Sequence, residues 1–173
     1  MKKERGFTLI ELLVVIAIIG LLATIVMVNL NSARVKVRNV KRNSDNKQLM
    51  TAFTMAADAA GGVFPSTGGD VWSCVSASCG GSWAGFLAND GVDLATAQYI
   101  KKPEDPANSS RGMAGYVYNG AWGGGANYLG VIHPAGAYLS YTLEPVTVTP
   151  GTCGVGSVWS SSASYIQCMI KLN

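Results

Sequence analysis

The 173-residue chain has one histidine, His133, and its four cysteines include no CxxC pair. A structural zinc site needs four nitrogen or sulfur ligands at recognisable spacings, so a site built from these thiols and His133 is disfavoured. General-base or triad chemistry needs partners that nothing in the sequence singles out, and His133, just before Pro134, reads as a loop residue. Ser44-Asp45-Asn46-Lys47 spells SxxK without the companion motifs of penicillin-binding enzymes. The Gly120 to Gly125 stretch lacks both GxGxxG spacing and a P-loop lysine. These absences argue against an enzyme.

Charge is scarcest where the chain is most apolar. From Phe7 to Leu30 the one charged residue is Glu11, and a short basic stretch, Met1 to Gly6, precedes the run. Twenty-four helical residues rise about 1.5 Å each, roughly 36 Å in all, enough for a hydrocarbon core of about 30 Å. An ionised side chain inside a membrane helix costs on the order of 2 to 4 kcal/mol, so Glu11 either lies shallow enough to reach headgroups or has a partner. A secretory signal peptide would have a shorter core ahead of its cleavage site. Asn31-Ser32-Ala33 supplies a site, but only after too long a run.

Gly6-Phe7-Thr8-Leu9-Ile10-Glu11, continued by Leu12 to Gly20, closely resembles the N-terminus of bacterial type IV pilins and of the pseudopilins of type II secretion. The resemblance implies that a prepilin peptidase cuts between Gly6 and Phe7 and that the new amino group of Phe7 is methylated. It further implies that Glu11 serves recruitment of the subunit and pairs with a neighbour's N-terminal amine. Such a pair would neutralise two charges inside a low-dielectric bundle. The implied partners are further copies of the chain, a prepilin peptidase, an inner-membrane platform protein and an assembly ATPase, with the inner membrane holding the subunit before assembly. Many type IV pilins carry proline where this chain has Val28, so a continuous helix is expected there.

The expected fold class is α+β and pilin-like. It comprises a leader at 1–6, a membrane or filament-core helix at 7–30, an amphipathic continuation at 31–60, and a head at 61–173 with a small antiparallel sheet. Leu49, Ala52, Phe53, Ala56 and Ala60 recur at three and four residue intervals and form one face able to support that sheet. Arg34, Lys36, Arg38, Lys41, Arg42 and Lys47 surround the preceding stretch. They read as a solvated stretch, or as groups meeting anionic headgroups and then acidic neighbouring heads. By the K/R rule this flank outnumbers Lys2, Lys3 and Arg5 and would keep the head cytoplasmic, but the cysteine pairs and the leader class place it outside.

Tyr116 to Tyr118, Ala137 to Leu143 and Ser164 to Ile170 alternate as half-buried strands, with a further short strand around Tyr128 to Ile132. Cys74 with Cys79 and Cys153 with Cys168 are two local pairs. Short-loop closure favours these pairings over the other connectivities and implies an oxidising compartment. Asn89, Asp90 and Asp93 could gather oxygen ligands for calcium, although the stretch is too short for an EF-hand and also reads as an acidic turn. Asn108-Ser109-Ser110 matches a glycosylation sequon. No other cofactor is expected. From Gln48 onward four basic side chains face seven acidic ones, a net of −3, which makes the head a poor trap for nucleic acid.

The sequence is therefore read as a structural subunit of a type IV pilus-like filament. Its precursor would sit in the bacterial inner membrane and its assembled form outside it. The Pro103 to Pro106 loop resembles that of major pseudopilins and favours the alternative of a type II secretion pseudopilin. The C-terminal cysteine loop resembles that of surface pilins. A DNA-uptake pilin and a secreted or membrane-anchored binding module are the remaining alternatives.

Overall fold

A computed structural model describes residues 6–81, 83, 90–106, 113–127 and 129–172. The chain divides into two compact units, Met1–Val37 and Arg38–Asn173. The elements are α1 (Leu9–Ala59), β1 (Ser73–Cys74), β2 (Gly80–Gly81), α2 (Asp90–Ala97), β3 (Met113–Ala114), β4 (Tyr116–Trp122), β5 (Gly125–Ala126), β6 (Ile132–His133), β7 (Gly136–Leu143), β8 (Ser157–Ser161) and β9 (Ile166–Lys171). The fold is α+β, a long N-terminal helix with an antiparallel sheet.

No proline occurs before Pro65 and no glycine between Gly20 and Gly61, so nothing interrupts the backbone ladder of α1, which runs on through Gly20 and Val28. The helix ends where two glycines take positive φ, Gly61 at 73° and Gly62 at 91°. The Gly62 N–H donates to the Ala57 carbonyl and the Gly61 N–H to that of Asp58, a Schellman closure that satisfies the last carbonyls.

The main sheet has the order β1-β4-β7-β9-β8, with every neighbouring pair antiparallel. Its register sorts the two faces. Tyr116 pairs with Tyr141 and Tyr141 with Cys168, while Tyr118 pairs with Leu139 and Leu139 with Ile170. These rows join Leu49 and Phe53 of α1 in one core, where Phe53 stacks on Tyr118 with ring centroids 4.0 Å apart. The alternating row Val117, Ser140 and Met169 points to the opposite face. The supporting face of α1 is Leu49, Ala52, Phe53, Ala56 and Ala57; Ala60 lies past the helix end and is exposed, so it does not belong to that face.

Several expectations shift. The Asp90 to Asp93 stretch is the start of α2 rather than a turn, with Val92 fully buried and Thr96 Oγ1 donating to the Val92 carbonyl. Of the strand expected around Tyr128 to Ile132, only Ile132 pairs, in β6 with β5, and Tyr128 lies outside the described residues. The last expected strand starts at Ile166 rather than Ser164. Ser157–Ser161 is a further strand, hidden in the sequence by its serines. Phe53→Ala should destabilise the second unit by about 3–5 kcal/mol through the lost stack and the cavity left. A fall in urea midpoint at unchanged slope would register it, and a cost below about 1 kcal/mol would contradict the central place given to Phe53.

Candidate processing and assembly segment

In the first unit, Gly6 and Phe7 precede the helix and Thr8 caps it. The Thr8 N–H and hydroxyl both donate to Glu11 Oε2 at 2.8 Å, and the Glu11 N–H donates to Thr8 Oγ1 at 3.3 Å. This is a reciprocal capping box, legible in the sequence as T-x-x-E but not read there. Glu11 thus has a local partner; its other oxygen, Oε1, accepts no hydrogen bond among the described residues. The apolar positions on both sides of it are exposed, Phe7 at 84% and Leu9 at 82% before it, and Leu12, Leu13, Val14 and Val15 around the helix after it. None of the most apolar part of α1 is buried, and the helix is long and apolar enough to cross a membrane. Residues 1–5 of the leader stretch lie outside the described residues.

In the second unit the basic stretch divides: Arg42 is internal, Arg38 half-buried, and Lys41 and Lys47 exposed. Arg42 is fully buried. Its Nε donates to Asp105 Oδ1 at 2.7 Å and its Nη1 to Glu144 Oε1 at 2.9 Å and Asn39 Oδ1 at 3.0 Å, and its Nη2 donates to the Pro106 carbonyl. Arg38 meets the same carboxylate, Nη2 to Glu144 Oε2 at 2.6 Å, and this hydrogen bond raises its affinity for the proton. Asn39 pairs with the Glu144 backbone through both its amide nitrogen and oxygen. Asp105 Oδ2 accepts from the Gly115 N–H, which ties the double-proline loop to the edge of β4.

The reading of a wholly solvated or externally directed basic stretch is therefore corrected for Arg38, Lys41 and Arg42, which pair with acids of their own unit. Asp45 receives Lys41 Nζ at 2.6 Å and the Tyr116 hydroxyl at 2.9 Å. Burial, reinforced by the Asp45 carboxylate, pushes the Tyr116 phenol well above its ordinary range, so it stays a donor. The 3,4-spacing Asn39, Arg42, Asn46, Leu49, Phe53, Ala56 runs down one helix face and was the available signal that Arg42 faces inward.

Cys74 is bonded to Cys79, and Cys153 to Cys168, which leaves no thiolate for zinc. The Tyr141 hydroxyl lies 2.8 Å from the Cys153 carbonyl and 2.6 Å from Asn43 Oδ1, while Asn43 Nδ2 donates to the Thr152 carbonyl, so the disulfide loop rests on the helix. His133 is half-buried with its ring edge-on to Trp159. Of the calcium candidates, Asp93 Oδ2 accepts Lys102 Nζ at 2.8 Å, Asp90 opens α2, and Asn89 lies outside the described residues, as does Asn108-Ser109-Ser110. No cluster of three metal-ligating side chains occurs among the described residues.

Residues 1–27 match the family model described as the prokaryotic N-terminal methylation motif. The chain carries the N-terminal segment of the type IV pilin and pseudopilin family. It is 47% identical over 53 residues to the type II secretion system core protein G of Escherichia coli K12, covering 31% of this chain and 37% of that protein. The proteins of the same name from Klebsiella pneumoniae and Pectobacterium carotovorum are 44% identical over 55 residues and 43% over 53, covering 32% and 31% of this chain and 39% and 34% of theirs. The chain thus spans little more than a third of the length of these relatives. No solved structure matches it significantly.

Arg42→Met should destabilise the second unit by about 3–5 kcal/mol, because it removes the buried cation that Asp105 and Glu144 share and leaves Glu144 with Arg38 as its guanidinium. Adding Asp105→Asn and Glu144→Gln should recover most of that loss. Failure of the triple variant to regain urea resistance would show that the pairing with Arg42 is not what the two acids cost the fold.

Proposed function

We infer that this protein is a pilin-like filament subunit, processed at the Gly6–Phe7 bond, N-methylated at Phe7, and assembled from the bacterial inner membrane. The single observation that carries the reading is the helix start itself. A methylation-motif segment places Glu11 at the head of an apolar surface for which the described residues offer no cover. Lipid satisfies that surface before assembly; packed copies of the same helix satisfy it afterwards. Within this class the pseudopilin of a type II secretion system is the better supported form, because the relatives are named type II secretion system core protein G and the double-proline loop is clamped onto Arg42. The filament would then be periplasmic. The disulfide Cys153–Cys168, which closes a loop beside β8 and β9, is the observation favouring a surface pilus instead.

The role is structural rather than catalytic. Prepilin peptidase, a platform protein and an assembly ATPase are the partners this reading requires, since the energy for leaving the bilayer must come from outside the chain. Leader 1–6 is removed, 7–30 enters the filament core, and the head at 61–173 faces outward.

Intact mass of the chain from a strain containing a prepilin peptidase should correspond to a start at methylated Phe7. A start at Arg34, or an unprocessed chain, overturns the assignment. Glu11→Ala should leave membrane insertion intact while sheared or cross-linked filaments drop at least tenfold. Undiminished filaments would remove the role given to the Glu11 carboxylate. Loss of exported enzymes in a deletion strain, with no loss of surface fibres, distinguishes the secretion form from the pilus form.

A further inference from the structure

All four tryptophans of the chain, Trp72, Trp83, Trp122 and Trp159, line one cavity of about 240 Å³ in the second unit, over Ser140 and Gln167 on the sheet face opposite the helix. None of the described side chains lining it is charged. The rings come from four separate places in the sequence, and two are aimed by the same device. The β4–β7 pairing shifts by one residue between Asn119 and Trp122, and the β8–β9 pairing shifts by one between Val158 and Ser160, where Trp159 is the extra residue. Bulges of this kind re-aim side chains beside functional sites. The first bulge is braced: Asp70 accepts from Asn119 Nδ2 at 2.7 Å and from the Gly123 N–H at 3.0 Å, and Asn119 Oδ1 accepts from the Ala121 N–H at 2.9 Å.

A second hydrophobic core would close these rings on one another. Instead Trp72, Trp122 and Trp159 remain half-exposed and a cavity persists between them. The Trp122 and Trp159 planes meet at 84° with centroids 5.2 Å apart, and Trp122 is also held edge-on by Tyr138 at 4.8 Å, so the corner is rigid. None of the four indole N–H groups donates to a described residue. Gln167 is fixed at both ends, Nε2 to Ser140 Oγ and Oε1 from Ser160 Oγ, each at 3.1 Å.

We propose that this tryptophan-lined cavity binds a neutral saccharide through one pyranose ring. A pyranose offers an apolar face of C–H groups for an indole face and a rim of hydroxyls for the polar side chains of Ser140 and Gln167, which is the combination the cavity lining supplies. The volume lies below the roughly 300–1,000 Å³ of drug-sized sites, so it admits a single ring. A charged sugar would find no counter-charge in the lining. A quaternary ammonium could also meet aromatic faces, but it has no group to hydrogen-bond with Ser140 or Gln167 in the lining. The site is independent of the filament reading and would serve the head whichever filament carries it.

The test uses the full mature chain in a polyoxyethylene detergent, whose headgroup contains no sugar. Methyl glucopyranoside, methyl galactopyranoside, N-acetylglucosamine and tetramethylammonium are titrated against tryptophan fluorescence. At least one sugar should give a saturable change with a dissociation constant on the order of 1 mM, the affinity about twelve heavy atoms supply. Trp159→Phe and Trp122→Phe should each weaken it at least fivefold. No saturable change with any sugar overturns the proposal, as does unaltered affinity in both variants. A response to tetramethylammonium alone overturns the saccharide assignment in favour of a cation site. Saturation-transfer NMR on the unsubstituted chain, irradiating aromatic protons, gives a reading that does not depend on the variants folding. Transfer to the ring C–H protons of the sugar supports the site, and no transfer rejects it.

Discussion

The second unit depends on one buried cation. Arg42 leaves the middle of α1 and meets Asp105 from the double-proline loop and Glu144 from the strand end after β7, with the Pro106 carbonyl and Asn39 taking further donors. Removing a guanidinium from water is costly, and two carboxylates plus neutral acceptors in fork geometry are what make it tolerable. Well-packed hydrophobic residues in place of the whole network, cation and carboxylates together, would hold the helix to the sheet about as strongly. What the ion network adds is position. Asp105 fixes the loop before β4 while Glu144 fixes the end of β7, so the helix register against the two central strands is set by geometry rather than by greasy contact alone. Leu49 and Phe53 can then meet Tyr116, Tyr118 and Leu139 in one arrangement.

The remaining polar groups of that helix face extend the same logic. Asn43 reaches the disulfide loop through Tyr141 and the Thr152 carbonyl, and Asp45 holds the Tyr116 hydroxyl. The consequence is a helix face divided by chemistry: hydrogen bonds and ion pairs from Arg38 to Asp45, aliphatic and aromatic packing from Leu49 onward. Arg34, Lys36 and Lys47 are exposed in their own units, so any attraction to anionic surfaces falls to fewer residues than the composition of the stretch suggests.

Much of this was legible, and the illegible parts have physical causes. The apolar run, the glycine stop at Gly61, the three alternating strands and the local cysteine spacing are signals carried by consecutive residues. Arg42 was misread because its carboxylate partners lie 63 and 102 positions away, and charge counting ranks six basic residues alike. Only the 3,4-spacing that links it to Leu49 and Phe53 distinguished it. The serine-rich β8 lacks the apolar alternation that marks a strand, because its bulge at Trp159 breaks the period of two and its ladder with β9 supplies the stability instead. The tryptophan cluster is invisible for the same reason as Arg42: Trp72, Trp83, Trp122 and Trp159 converge only once bulges and loops have been folded.

Glu11 illustrates how a local and a distant explanation need not compete. As the closing residue of a capping box, three positions after Thr8, it serves the helix through Oε2, which satisfies donors that would otherwise be stranded at an apolar helix start. That task begins at Thr8, so cleavage between Gly6 and Phe7 would leave it untouched. Oε1 stays open to an outside donor, and an amine arriving from another subunit would find a carboxylate already oriented by Thr8 rather than one that must give up rotamer freedom to bind. The cap thus lowers the entropic cost of the inter-subunit pair while neutralising none of its charge. In the filament reading, the threonine is the residue that prepares the glutamate for its neighbour.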